Sequence, residues 1–167
     1  MMRASLPALT VLLGVLVTAV PWGLPAEATF IPPLVVVMMV FCWRATPDAV
    51  LPPVVCMALG LLTDVTTGGP LGFWALMCLL ASSAGARLGK FNTGRAIGAL
   101  WFAWMPVAAG LAGFGWLLAS LYFFRWVDWT PIVFGAAASI AIFPSVFLFI
   151  RSLNQGTPRG IAYGGRA

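Results

Sequence analysis

Six apolar runs divide this chain: Leu6 to Trp22, Phe30 to Trp43, Val50 to Leu62, Leu71 to Ala86, Ala96 to Phe124 and Trp129 to Ile150. No other feature restricts the possible folds as strongly. A helix needs ~20 apolar residues to cross ~30 Å of hydrocarbon. Six crossings would use about 120 of the 167 residues and leave about seven for each loop or tail. Charged residues make up 8% of the chain, against about 25% in soluble domains, too few to cover a water-facing surface. The expectation is an all-α, polytopic membrane protein: six transmembrane helices over residues 1–153 and a short disordered tail over 154–167, with no room for a large extramembrane domain. The second to fourth runs are short, 13 to 16 residues. Their flanks can lengthen them, since Pro is tolerated in a first helical turn, and a re-entrant third and fourth pair is the alternative.

Orientation follows from the basic residues. With the N-terminus inside, the inner loops and tails hold Arg3, Arg44, Arg87, Lys90, Arg95, Arg151, Arg159 and Arg166, and the outer loops hold only Arg125. Lys/Arg bias in short loops sets orientation, so both termini are expected in the cytoplasm. Glu27 and Asp128 fall in outer loops, and Asp64 at the outer end of the third run. Arg3, the first run and Ala26–Glu27–Ala28 also imitate a cleavable leader, whose removal would leave five spans. The length of the run, at the upper edge of an h-region, and Pro25 beside the candidate site argue for a retained first span.

The same composition excludes several chemistries. His is absent, which removes the commonest general base and metal ligand near neutral pH. The four acids, Glu27, Asp48, Asp64 and Asp128, show no paired spacing, and Cys42, Cys56 and Cys78 lie singly in apolar runs, as small buried hydrophobes do. No cofactor or metal site is expected, and no base–nucleophile pair suggests an enzyme. The scattered cations form no patch for nucleic acid. Trp22, Trp43, Trp126 and Trp129 stand near run ends, where indole rings favour the headgroup level, with ordinary aromatic packing as the alternative. Arg87, Lys90 and Arg95 form the largest inner cluster; topology alone explains it, and contact with anionic lipid or a cytoplasmic partner is the alternative.

One stretch is not generic: Gly60–Leu61–Leu62–Thr63–Asp64–Val65–Thr66–Thr67–Gly68–Gly69–Pro70–Leu71–Gly72. Gly68 and Gly69 are expected to supply positive φ in a tight turn, with Pro70 opening the next helix. Asp64 can cap the fourth helix, where backbone N–H groups and the helix dipole favour an anion. The alternatives are a buried polar site between helices and simple exposure.

At these residues the chain resembles the rod shape-determining protein MreD family. That family's third span ends in Gly-Leu-Leu-x-Asp, matched by Gly60, Leu61, Leu62 and Asp64. A Gly-x-Pro-Leu-Gly turn follows, matched by Gly68, Pro70, Leu71 and Gly72. The Pro-led second run, Trp43 and Pro47 also fit, whereas Cys42 stands where an aromatic residue is usual and the 96–150 half carries little to match. The resemblance implies a non-enzymatic scaffold in the bacterial inner membrane. Its partners would be an MreC-like bitopic protein, an MreB-type filament and a cell-wall glycosyltransferase–transpeptidase pair, and its task lateral peptidoglycan synthesis and rod shape. It also implies a six-helix fold similar to the substrate-binding subunits of energy-coupling-factor transporters.

A scaffold works helix against helix, where small residues allow close packing. Gly135 and Ser139, in the sixth run, are the expected packing seam; Ala109/Gly113 is a further pair, and Gly85/Gly89 and Gly94/Gly98 read as turn residues near the basic loop. The alternative is a solute-binding membrane subunit of a vitamin-type transporter, which needs convergent polar groups between helices. The runs offer only Thr10, Thr18, Ser82, Ser83, Ser120, Tyr122 and Ser139.

Overall fold

The computed structural model describes residues 2–20, 23, 31–46, 51–91 and 97–155. Each apolar run forms one helix: α1 (Met2–Thr18), α2 (Ile31–Ala45), α3 (Pro53–Thr67), α4 (Phe73–Phe91), α5 (Ile97–Tyr122) and α6 (Thr130–Gln155). Among the described residues there is no strand. Trp22, the Ala26–Glu27–Ala28 stretch, Asp48, Gly94, Arg95, Arg159 and Arg166 lie outside the described residues, as does the tail beyond Gln155. The helices α5 and α6 are long and apolar enough to cross a membrane; Leu6–Thr18, Pro33–Ala45 and Pro53–Thr67 are shorter apolar helices.

The helix limits follow from local chemistry. Pro52, extended at φ −61° and ψ 145°, precedes α3, and Pro53 takes its first position, where a missing N–H costs no intrahelical bond. The helix α3 runs past the apolar Leu62 because its threonines satisfy themselves. Thr63 donates to the Leu59 carbonyl at 2.9 Å, Thr66 and Thr67 to that of Thr63 at 3.0 and 2.8 Å. Gly68 ends it in the left-handed conformation, at φ 66°. The helix α4 continues five residues beyond Ala86, so Arg87 and Lys90 sit on its last turns rather than in a loop, where the dipole favours cations. The helix α6 includes Asn154 and Gln155, ending two residues into the expected tail.

The helix α2 is the centre of the bundle. From Pro33 to Ala45 every side chain except Val35 and Arg44 is buried, against α1, α4 and α6. Phe41 packs on Trp104 at a ring-centroid distance of 4.9 Å and on Phe143 at 6.2 Å. Cys42, Cys56 and Cys78 are buried free thiols.

Two sequence expectations change here. Gly85 and Gly89 are not turn residues: both lie in α4 against the backbone of α2. A Cβ on Gly85 would meet the Phe41 carbonyl oxygen at 2.6 Å, and one on Gly89 the Ala45 Cα at 2.8 Å. They let α4 approach the central helix at backbone distance. Trp43 is not an interface anchor. It is 1% exposed, and its Nε1–H donates to Thr10 Oγ1 of α1 at 2.8 Å, which satisfies the indole's single donor. Trp126 and Trp129 are exposed. Gly135 and Ser139 are buried within the chain; Ser139 donates to the Ala136 carbonyl at 2.8 Å. Gly98 has open space around it, as does Gly113.

Candidate functional site

The stretch from Gly60 to Gly72 folds into a clasp between α3 and α4. Gly60 and Asp64 are four residues apart and share one helix face, and that face meets the start of α4. A Cβ on Gly60 would lie 2.4 Å from Ala75 Cα, 2.7 Å from Ala75 N and 2.8 Å from the Trp74 carbonyl oxygen. Only a residue without a side chain allows the two backbones so close. One turn on, this closeness lets the short Asp64 side chain reach across.

Asp64 is 1% exposed. Gly72 N–H donates to its Oδ2 at 2.8 Å and Trp74 N–H to its Oδ1 at 2.7 Å. The carboxylate therefore caps the first turn of α4, with both oxygens on amides that no helical carbonyl reaches. Of the three possibilities, simple exposure is excluded by this burial. Capping and burial between helices are one arrangement.

The turn differs in detail from the expectation. The second positive φ belongs to Gly72, at 95°, not to Gly69. Gly72 gives the first carbonyl of α4, accepting from Leu76 N–H at 2.9 Å, while Pro70 sits two residues earlier and accepts from Phe73 N–H at 3.2 Å. With this φ, which L side chains rarely adopt, the Gly72 amide faces back toward Asp64.

Beside the clasp lies a cavity of about 400 Å³. The C-terminal ends of α1 (Thr18), α3 (Thr66, Thr67) and α5 (Ala119) line it, with Phe123 just past α5 and the N-terminal ends of α2 (Pro33) and α4 (Phe73, Trp74). These helices therefore bring alternate ends to one side of the bundle. The Thr18 and Thr66 hydroxyls are 3.1 Å apart and share a hydrogen bond, joining α1 to α3. Of the polar residues available in the runs, only Thr18 reaches this cavity; Thr10 is engaged by Trp43, and Ser139 by its own helix. Thr66 and Thr67 lie within the Gly60–Gly72 stretch, but the meeting of Thr66 with Thr18, 48 residues away, carried no signal in the sequence.

Among the described residues no group of His, Cys, Asp and Glu is placed to hold a metal ion. At the opposite end of α2, Arg44 Nη1 donates to the Leu51 carbonyl at 3.1 Å, tying the end of α2 to the approach to α3. Comparison with protein-family models, curated proteins and solved structures gives no match.

Proposed function

We propose that this chain is a multi-pass scaffold of the MreD type in a bacterial inner membrane, without chemistry of its own. In this reading it crosses the membrane six times with both termini in the cytoplasm. It binds an MreC-like bitopic protein, works with an MreB-type filament and a glycosyltransferase–transpeptidase pair, and helps position lateral peptidoglycan synthesis. The observation that supports it best is the clasp. Gly60, Asp64 and Gly72, which carry the family resemblance, are the residues that lock α3 to α4, and Asp64 is used wholly on backbone amides. A rigid hairpin suits a docking surface. The alternating helix ends around the cavity and the eight-to-one division of basic residues support the six-crossing layout.

The test is capture of the full chain from detergent-solubilised membranes with identification of bound proteins, joined to depletion in the source cells. Stoichiometric recovery of a single-span partner and rounding of depleted rods are expected. Depleted cells that stay rod-shaped would overturn the scaffold role. The threonine-bearing cavity favours a second reading, a solute-binding subunit; a tightly retained small molecule in the purified protein, with no single-span partner, would establish that reading instead.

A further inference from the structure

The connection between α5 and α6 carries a feature that scaffolding does not explain. Phe124 has a φ of 49°, a left-handed conformation that a bulky side chain rarely adopts, and it is 92% exposed. Trp126 beside it is 81% exposed. Together with Leu117, Ser120, Leu121 and Arg125 they line a notch of about 360 Å³. Leu117 and Leu121 are one turn apart on α5, so the apolar wall runs down the helix and the cation sits above it.

Arg125 is the only basic residue between Ile97 and Ile150. It lies over the Phe123 ring, 5.9 Å from the centroid, and its amide donates to the Ser120 carbonyl at 3.2 Å. Among the described residues it makes no ion pair. The nearby Asp128 carboxylate is engaged by Thr130, whose N–H and Oγ1 donate to Asp128 Oδ1 at 2.9 and 2.8 Å. Ser120 Oγ accepts from Val127 N–H at 3.3 Å, which leaves its own hydroxyl hydrogen available to donate.

We propose that this notch seats one anionic phospholipid: the phosphate against Arg125 and the Ser120 hydroxyl, an acyl chain along Leu117 and Leu121, and the Phe124 and Trp126 rings at the headgroup level. The assignment rests on α5 and α6 crossing the membrane, for which both are long and apolar enough. A lone cation above an apolar groove matches an anion attached to a hydrocarbon chain, and aromatic rings favour that depth. A free anion would make no use of the leucines, and a neutral lipid would leave Arg125 uncompensated.

The experiment is native mass spectrometry of the full chain released from detergent. It is titrated separately with phosphatidylglycerol, with phosphatidylcholine of the same acyl chains, and with inorganic phosphate. One phosphatidylglycerol should be retained about fivefold more tightly than phosphatidylcholine, the ratio a single basic residue gives near an anionic lipid. Arg125→Ala should bring the two lipids level. Phe124→Gly, which suits the left-handed backbone and so keeps the fold, should weaken retention of both. An Arg125→Ala chain that keeps the full preference would overturn the assignment, as would displacement of the lipid by millimolar inorganic phosphate. A chain extracted from cell membranes by carbonate alone would remove the membrane reading with it. A firmly embedded chain without lipid preference would remove only the notch.

Discussion

Replacing Gly60 with alanine tests the clasp at its tightest point. The new Cβ would sit 2.4 Å from Ala75 Cα, with Ala75 N and the Trp74 carbonyl also inside 3 Å. These are backbone atoms and cannot rotate away, so α4 must retreat by about 1 Å to restore ordinary contact. The same retreat would carry the Gly72 and Trp74 amides, now 2.8 and 2.7 Å from Asp64, beyond good hydrogen-bonding distance. Overpacking costs about 1–3 kcal/mol, and each weakened hydrogen bond to a charged group about 1.5–3 kcal/mol. Alanine's better helix propensity returns about 1 kcal/mol, and with both bonds weakened the net loss is about 3–8 kcal/mol. The matched control is Gly113→Ala, since nothing lies within 4 Å of that position; it should be neutral or up to about 1 kcal/mol more stable. Both variants are unfolded by increasing dodecyl sulfate in mixed micelles and followed by far-ultraviolet circular dichroism. Equal midpoints for the two alanines, or an unchanged exchange rate at the Trp74 amide in Gly60→Ala, would refute the close-approach argument.

Asp64→Asn keeps one carbonyl acceptor for the start of α4 and should lose about 1.5–3 kcal/mol, whereas Asp64→Ala strands two amides and should lose more; the order of the dodecyl sulfate midpoints checks this. Thr10→Val removes the acceptor of the buried Trp43 indole and should cost about 1–3 kcal/mol, while Trp43→Phe in the Thr10→Val background should cost less than it does alone, as a double-mutant cycle would show. Asp128 is held below the usual carboxylate range, first by the Thr130 backbone N–H and then by its hydroxyl. Its cap on α6 is therefore fully present above that range and is lost as pH falls through the lowered value. Protection of the Thr130 amide, its exchange rate relative to that of a free amide at the same pH, should fall in acid in the parent and stay unchanged in Asp128→Asn.

The number, order and approximate limits of the helices could be read from the apolar runs, because each run can bury itself only as a helix. Capping by Asp64 was one of three readings that the motif left open, and only its burial against the Gly72 and Trp74 amides decides among them. The limits that shifted did so for local reasons: threonine back-bonding carried α3 through a polar segment, and α4 absorbed two cations at its dipole-favoured end. What could not be read was which small residues meet which backbone. Gly85 and Gly89 face α2, while Gly113 faces open space; the spacing is four residues in either case, and only the partner's position separates them. Trp43 misled for the same reason, because its acceptor Thr10 lies 33 residues away.

The helices are unequal in length, and in a membrane the lipid would feel that only where they face it. At 1.5 Å per residue, the 15-residue α2 is about 22 Å tall and the 26-residue α5 and α6 about 39 Å. Sheltered at the centre, α2 has no bilayer thickness to match. The equally short α3 presents Val54, Met57, Leu61 and Val65 outward. In a membrane the rim of the bundle would then be low on the α3 side and high on the α5–α6 side. The bilayer would accommodate this by thinning locally beside α3 and by tilting α5 and α6, giving the protein a preferred inclination and a ring of lipid of uneven depth.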